Sequence, residues 1–328
     1  MNNQNKFVGV DLGGTHLRAA IVDSETGRLS GFKQIPTQAH KGHDAVIVRM
    51  ADLIKEVIAA EGNPNTGVGG VGIGVPGVLD LERGWVKFLP NLPDNWLDVP
   101  LSQAIEERLD LPTYLLNDAR SMTFGEWKFG GGRGVQTMAC FTLGTGIGGG
   151  LIVNGRLHLG TGGIAGELGH QTIDFNGPRC GCGNSGCLEA FASGPAIAAM
   201  GIKAVIQGLT TNIGELVNYD LNRITPKVIY QAAQGGDEVA SEIFELAGYY
   251  IGIAVGNVCV SVGPRKVVIG GGVSQAGDLL LDPIRRKVNE RSSMILVSEV
   301  QIVLAELGTN AGMVGAALWA KEQIQGSS

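Results

Sequence analysis

Aromatic side chains are scarce in this sequence, at 5% of 328 residues. The protein therefore has little aromatic surface on which nucleobases can stack. Charged residues are also modest in number, at 17%, and the formal net charge is −6 at pH 7. An acidic balance disfavours a polyanion such as DNA as the main partner. We therefore expect no nucleic-acid partner, while a nucleotide, which needs only a local phosphate site, is compatible with this composition.

A secretory leader and a membrane span are not predicted. Residues Met1–Lys6 are polar and lead almost at once into a strand, unlike a signal peptide. The longest apolar stretch, Tyr249–Val262, is interrupted by glycine and is short for a membrane span, which favours a buried helix. Five cysteines without a secretory signal are typical of a reducing compartment. We expect a cytoplasmic protein without a membrane partner.

The common nucleotide-binding fingerprints are missing as well. The sequence contains no G-x-x-x-x-G-K-[ST] motif and no strand–GxGxxG–helix unit followed by an acidic residue. A P-loop enzyme and a Rossmann dehydrogenase are therefore disfavoured.

The pattern of apolar residues predicts an α/β protein. A chain of 328 residues is long for one core and suggests two domains. We predict strands over Phe7–Val10, Leu17–Val22, Gly69–Val75, Thr113–Leu116, Met138–Leu143, Lys266–Ile269 and Val300–Leu304, and helices over His43–Ala60, Leu101–Leu109 and Asn310–Gln325. We place a small α/β domain at residues 1–118 and a large one at 119–309, with the last helix, about 310–328, packed back on the first.

Glycine is abundant, with 52 residues, and it clusters in short turns at strand ends. Glycine lets several backbone N–H groups converge on a phosphate without an intervening Cβ atom, although each turn taken alone is also typical of an ordinary hairpin. Two of the turns place Leu-Gly beside a threonine, which suggests a weak internal duplication. The predicted phosphate-binding residues are Gly13, Gly14 and Thr15 in the first turn, Thr142, Gly144, Thr145 and Gly146 in the second, and Gly270, Gly271 and Gly272 in a third.

Two acidic positions follow apolar strands. Asp11 lies in the first glycine turn, where a carboxylate next to phosphates suits Mg²⁺, and where an aspartate that caps its own turn is the alternative. Asn117 and Asp118 end another strand, at the edge where α/β proteins bind ligands. A carboxylate there is suited to take the proton of an attacking sugar hydroxyl. A simple Asx turn explains the same pair, and the pair alone does not decide between them.

The cysteines form the most specific pattern. His170 is followed by Cys180, Cys182 and Cys187 in a glycine-rich loop. One histidine and three cysteines make a complete tetrahedral zinc set without an open position, which predicts a structural site over residues 170–187. A redox dithiol is the alternative, but it favours C-x-x-C over the C-x-C found here.

Two glutamates flank this zinc loop, Glu167 before it and Glu189 after it. A zinc loop would hold both carboxylates in place as acceptors for buried sugar hydroxyls. A solvated surface charge is the alternative for each, but Gly-Glu-Leu-Gly-His and Cys-Leu-Glu-Ala are not typical surface contexts.

Together these motifs resemble the ROK family of sugar kinases, in the actin-like ATPase/hexokinase superfamily, and within it the bacterial glucokinases. Asp11-x-Gly-Gly-Thr15 and Leu143-Gly-Thr-Gly146 are similar to its phosphate motifs, and Gly270–Gly272 is similar to its adenosine motif. The run from Gly166 through His170 and the cysteines to Glu189 is similar to the family signature. The resemblance covers residues 7 to about 320.

The resemblance implies a two-domain actin-like ATPase (ribonuclease H-like) fold with a cleft between the domains. It implies an ATP-dependent hexokinase, with glucose as the first choice and mannose, N-acetylglucosamine, N-acetylmannosamine or fructose as alternatives. ATP, Mg²⁺ and structural Zn²⁺ are the implied cofactors, and a homodimer is expected. It implies that Asp118 is the catalytic base, and that the sugar is bound by Gly77, Asn91, Asn117, Asp118, Glu167, His170 and Glu189.

Other functions remain as alternatives to a kinase. One is a hexose-binding sensor without turnover, but the intact Asp118 and phosphate turns disfavour it. The family also contains repressors with an N-terminal helix-turn-helix, and because only six residues precede the first predicted strand, that domain is not expected here. A generic actin-like ATPase would leave the zinc loop unexplained.

Overall fold

The computed structural model describes residues 5–61, 67–89, 92, 96–290 and 299–326. The strands are β1 (Lys6–Leu12), β2 (His16–Asp23), β3 (Leu29–Pro36), β4 (Val68–Val75), β5 (Val78–Asp80), β6 (Trp85–Leu89), β7 (Trp96–Val99), β8 (Thr113–Asn117), β9 (Met138–Leu143), β10 (Ile147–Val153), β11 (Arg156–Leu157), β12 (Lys266–Gly270) and β13 (Gln301–Leu304). The helices are α1 (His43–Ala59), α2 (Leu101–Leu109), α3 (Asp118–Phe129), α4 (Leu188–Ala192), α5 (Gly194–Ile206), α6 (Pro226–Gln234), α7 (Glu238–Val262), α8 (Asp278–Glu290) and α9 (Ala311–Gly326).

Two five-stranded sheets share one topology. Their strand orders are β3-β2-β1-β4-β8 and β11-β10-β9-β12-β13. In each order, the first and second strands and the second and third strands pair antiparallel. The third, fourth and fifth strands run parallel to one another. The predicted α/β class is therefore confirmed, and the shared order agrees with the weak repeat in the sequence. A third, small sheet has the order β5-β6-β7.

Helices α3 and α9 lie between the two sheets. Helix α3 contacts β9 and β10, α9 contacts β1 and β4, and the two helices pack on each other. Glycine makes the contact of α9 possible: a Cβ atom at Gly9 or at Gly72 would overlap the carbonyl groups of Met313 and Ala316. Both sheets are thus joined through one pair of helices.

A buried carboxylate ties this helix pair together. Glu126, fully buried in α3, accepts hydrogen bonds from the backbone N–H groups of Gly131 (2.9 Å), Glu306 (3.0 Å) and Leu307 (2.8 Å). A buried charge is tolerated only when it is hydrogen-bonded in this way. Glu126 therefore anchors the segment that leads into α9.

Helix α7 is long and apolar enough, by length and composition alone, to cross a membrane, but 61% of its most apolar window is buried inside the protein. Its buried residues, including Phe244, Ile251 and Val255, belong to the core beside the second sheet. This burial agrees with the predicted core helix.

Candidate active site

The first glycine turn joins β1 to β2 and is held from behind. Its Gly13 N–H donates to the carbonyl of His16 at 3.0 Å. Thr37, fully buried, donates through its hydroxyl to the Gly13 carbonyl at 2.7 Å and through its N–H to the Thr15 carbonyl at 2.8 Å. With these carbonyls engaged, Gly14 and Thr15 lie exposed at the tip. The turn is a rigid, open cradle of the kind that binds phosphate.

Asp11 lies at the base of this turn, and its carboxylate pairs with Arg18 of β2, with Oδ2 3.2 Å from Nη1. Burial raises the pKa of Asp11, and the Arg18 guanidinium opposes that rise. Sequence reasoning did not single out Arg18. The feature that could have identified Arg18 is a basic side chain on the neighbouring strand, next to the same turn.

The second glycine turn joins β9 to β10 and is held by the helical segment that follows the zinc loop. Gly144 donates to the Gly146 carbonyl at 2.9 Å, and Gly194, at the start of α5, donates to the Gly144 carbonyl at 2.8 Å. Glu189 accepts from the N–H of Ile147 at 2.8 Å. The exposed Thr145 stands at the tip, while Thr142 is paired with Gly148 inside the hairpin.

The third glycine run lies directly against the second turn. Gly270 ends β12, and Gly271 has a φ of +87°. A Cβ atom at Gly271 would lie 2.6 Å from the backbone nitrogen of Leu143, so no larger residue fits without a shift. The second and third glycine segments, predicted to bind phosphate and adenosine, are therefore in contact.

A cavity of about 580 Å³ opens beside Gly272, between that turn and α6. This volume includes space that is open to solvent. Tyr230 and Phe244 of its wall stand edge to face, with ring centroids 6.2 Å apart, which is typical of aromatic pairs. Sequence reasoning missed the part of the wall that comes from α6, because no local motif marks it. The lining residues are Pro226, Lys227, Tyr230, Gln231, Gln234, Phe244, Gly272, Val273, Gln275 and Ala276.

Asp118 begins α3, and Asn117 caps that helix. The Asn117 side-chain oxygen accepts from the N–H groups of Ala119 (3.1 Å) and Arg120 (3.3 Å), and its amide donates to the Gly77 carbonyl at 3.4 Å. Asn117 is therefore the N-cap of α3, a local backbone role close to the Asx turn that was the alternative for this pair. Because the cap sets the direction of the first turn, it also sets where the Asp118 carboxylate points.

Burial raises the pKa of Asp118 to about 6. The hydrogen bond from the Ala119 N–H, at 2.8 Å, and the charge of Arg120 oppose this rise, while the charges of Asp11 and Glu167 add to it. A carboxyl group with a pKa near neutrality is suited to act as a general base. Two acidic residues, one from the first glycine turn and one from the segment before the zinc loop, thus act on the same carboxyl group.

A second cavity, of about 370 Å³ including space that is open to solvent, is lined by Asn117 and Arg120, on either side of Asp118 in the sequence, and by residues of the segment before the zinc loop. Glu167 lies on its wall, with Oε1 2.8 Å from Nη2 of Arg120 and Oε2 4.0 Å from Nε2 of His170. Mostly apolar side chains surround these polar groups, as in typical small-molecule sites. The lining residues are Gly77, Val78, Leu79, Leu81, Leu116, Asn117, Arg120, Leu159, Gly162, Gly163, Ile164 and Glu167.

The four predicted zinc ligands come together. The ligand atoms of His170, Cys180, Cys182 and Cys187 all lie within 4.8 Å of one another. Cys180 Sγ lies 3.7 Å from His170 Nδ1, and the Sγ atoms of Cys182 and Cys187 are 3.7 Å apart. Four ligands at a zinc–sulfur distance of about 2.3 Å have neighbours about 3.8 Å apart in a tetrahedron. The donor set and its spacing therefore fit a zinc ion.

Glu189 joins this cluster to the second glycine turn. One of its oxygens accepts from Ile147, and the other lies 3.7 Å from Cys180 Sγ. His170, in turn, presents Nδ1 to the cysteines and Nε2 toward Glu167. A loop organised by zinc would thus fix both glutamates. Asn91, the remaining predicted sugar ligand, lies outside the described residues.

Comparison with known proteins agrees with this arrangement. The model of the ROK family matches residues 7–323. The chain is 39% identical to a glucokinase of Thermotoga maritima over 98% of this chain and 99% of that protein. It is 32% identical to a xylose repressor of Caldicellulosiruptor bescii, over 94% of this chain and 76% of the repressor.

A solved structure with the same fold is a ROK family glucokinase from Streptomyces griseus in complex with glucose and AMPPNP. It is 34% identical, with a TM-score of 0.79, over 97% of this chain and 99% of that one. The predicted actin-like ATPase fold is confirmed by this similarity. With this fold, these turns and this Cys/His cluster, the chain belongs to the ROK family.

Proposed function

We propose that this protein is an ATP-dependent glucokinase, which transfers the γ-phosphoryl group of ATP to the 6-hydroxyl of glucose. The observation that carries the proposal is Asp118, a partly buried carboxyl with a raised pKa between the first phosphate turn and the 370 Å³ cavity. Glucokinase relatives at 34–39% identity over nearly the whole chain support the same activity.

Glucose would occupy the cavity beside Asp118. Asn117, Arg120 and Glu167 are the polar residues that line it, and Nε2 of His170 lies 4.0 Å from the Glu167 carboxylate. Hydroxyl groups need such donors and acceptors. Gly77 contributes by close approach, since its φ of +89° and the neighbouring Phe88 carbonyl leave no room for a Cβ atom. Glu189 contacts Ile147 and Cys180 in the structure, and its direct contact with sugar stays a prediction.

ATP would lie across the glycine turns, with its adenosine in the 580 Å³ cavity beside Gly272 and its phosphates between the first and second turns. Asp11 suits Mg²⁺, which phosphoryl-transfer sites bind through one or two carboxylates together with substrate phosphates. When bound, that ion would offset the negative charge of the phosphate oxygens. Arg18, paired with Asp11, brings a fixed positive charge to the same place.

In this arrangement Asp118 accepts the proton of the sugar hydroxyl as that oxygen attacks the phosphorus. Most of the rate enhancement comes from positioning and from charge stabilisation by the turn N–H groups. Exclusion of water from the cleft would limit the competing hydrolysis of ATP. Zinc would act at a distance, by holding His170, Glu167 and Glu189 in place.

The pH profile follows from the raised pKa of Asp118. Since the base must be ionised, kcat/KM for glucose is expected to fall about tenfold per pH unit below a midpoint near pH 6. Initial rates between pH 4.5 and 8, with ATP and Mg²⁺ saturating, would measure this limb. A midpoint near pH 4, the ordinary value for an aspartate, would contradict the role of burial.

The direct test of the function is a coupled assay of ADP release with ATP, Mg²⁺ and a panel of glucose, mannose, N-acetylglucosamine, N-acetylmannosamine and fructose. We expect turnover with glucose that is absent without sugar. Turnover with a different sugar alone would reassign the substrate. If none is turned over, polyphosphate replaces ATP as the donor, and formation of the sugar phosphate is measured in place of ADP release.

A sugar-binding regulator without turnover is the second candidate, because the chain is also similar to a xylose repressor. Glucose binding without turnover, with either phosphoryl donor, would favour it over the kinase. A homodimer and a cytoplasmic location stay predictions, which light scattering and fractionation of the source cells would test.

A further inference from the structure

Arg120 is an unusual residue for the wall of a sugar site. It follows Asp118 by two positions in α3 and is only 3% exposed, yet it lines the 370 Å³ cavity. A buried guanidinium is costly unless its charge and its N–H groups are paired. The contacts of Arg120 therefore indicate what this charge does.

Two contacts orient the guanidinium. Nε donates to the carbonyl of Ala165 at 3.0 Å, and Nη2 lies 2.8 Å from Oε1 of Glu167. Both partners belong to the segment that leads into the zinc loop, 45 or more positions away along the chain. Arg120 thus connects the helix that carries Asp118 to the segment that carries Glu167.

The pairing is incomplete. Although Nη2 is close to the Glu167 carboxylate, it makes no well-directed hydrogen bond with any residue that the structure describes. Buried donors of this kind are almost always satisfied in native proteins, by protein, water or ligand. The cavity next to the guanidinium is the place from which a further acceptor would come.

We propose that Arg120 is a specificity-determining residue of the hexose site, which donates to one sugar hydroxyl oxygen while it holds Glu167 to accept from a neighbouring hydroxyl. A guanidinium and a carboxylate side by side present a donor and an acceptor, which matches two adjacent hydroxyl groups. This inference rests on the proposed function, since it assumes that a hexose occupies this cavity.

Arg120→Met tests the proposal, because it keeps an extended apolar side chain and removes the guanidinium. We expect the KM and the Kd for glucose to rise about 10–100-fold, as for a lost hydrogen bond to a charged group. The KM for ATP and the zinc content should be unchanged. Arg120→Lys, which retains the buried charge, should also bind glucose weakly, because one ammonium group cannot replace the planar guanidinium.

A series of sugars separates a direct contact from a purely structural role. The wild type is compared with Arg120→Met on glucose and on its 2-deoxy, 3-deoxy and 4-deoxy analogues. If Arg120 donates to one hydroxyl, the variant loses the wild type's discrimination against a single analogue and keeps it against the others. Equal loss on all four sugars, or glucose binding as tight as in the wild type for both variants, would overturn the proposal. Absence of glucose turnover in the wild type would instead refute the proposed function.

Discussion

Asp118→Asn is expected to lower kcat for glucose phosphorylation by about 10²–10⁴-fold, the usual contribution of a general base. Asparagine has nearly the same shape as aspartate but cannot accept the hydroxyl proton. The cap from Asn117 and the wall of the cavity stay in place, so the Kd for glucose should change little. Steady-state rates and calorimetric titration with glucose would measure both quantities. Turnover close to that of the wild type would remove Asp118 from its catalytic role.

The stability of the same variant provides an internal control. Because the pKa of Asp118 in the folded protein, about 6, lies above its ordinary value of 3.8, the ionised carboxylate destabilises the fold. This destabilisation grows as the pH rises from about 4 to 6 and is complete above that. Asp118→Asn should therefore raise the free energy of unfolding at pH 7.5 by on the order of 1–2 kcal/mol, allowing for solvent in the cleft.

Urea unfolding at pH 7.5 and at pH 4 would separate these effects, since the gain should shrink at the lower pH. Asp52→Asn, at an exposed position of α1, is the matched control and should change neither rate nor stability by much. An inactive Asp118→Asn that is also unfolded would contradict both expectations. The prediction is thus that one carboxyl supports activity at the expense of stability.

Cys182→Ser is expected to abolish stoichiometric zinc binding and to lower kcat/KM for glucose by about 100-fold or more. Loss of one ligand from a closed four-ligand site removes the constraint on the whole loop. His170 and Glu189 would then lose their fixed positions together, and both adjoin the sugar site or the second glycine turn. Changes in residues around a metal already cost 10–100-fold in affinity or activity in known sites, so loss of a ligand should cost at least as much.

Elemental analysis together with glucose kinetics would check this result. Cys259→Ala is the matched control, because it removes a buried thiol of α7 and leaves the four ligands intact. It should retain one zinc per chain. Purified wild-type protein without zinc, active at full rate, would refute the structural role of the metal.

Much of the fold follows from local patterns. The apolar runs that predict β1, β4, β9 and β12 are buried strands in the structure, and α1 and α2 begin at the predicted residues. The sequence predicts these elements because each has one apolar face or one continuous apolar run. The period of the apolar residues then distinguishes a helix from a strand. The glycines after Ile147 look like a loop in the sequence, but they belong to strand β10 because they pair with β9.

Helix α3 is one of the elements that sequence reasoning missed, although it carries Asp118 and Arg120. It has almost no exposed face, and polar residues such as Ser121 and Glu126 are buried between β9, β10 and α9, so no apolar stripe marks it. Strand β3 was missed for the opposite reason, since it has no buried residue and its half-buried positions include a glycine and a lysine. Helix α8 contains Pro283, which ordinarily marks the end of a helix. In each case a tertiary contact overrides the local preference.

The candidate site likewise has features that the sequence predicts and features that it does not. The glycine turns and the four zinc ligands are local, since each set lies within a short stretch of chain, so residue type and spacing alone determined them. The raised pKa of Asp118, the pairing of Arg120 with Glu167, and the cavity between α6 and Gly272 arise only in the folded molecule. They depend on burial and on contacts between segments that are far apart in the sequence. Burial and such contacts exist only once the chain has folded.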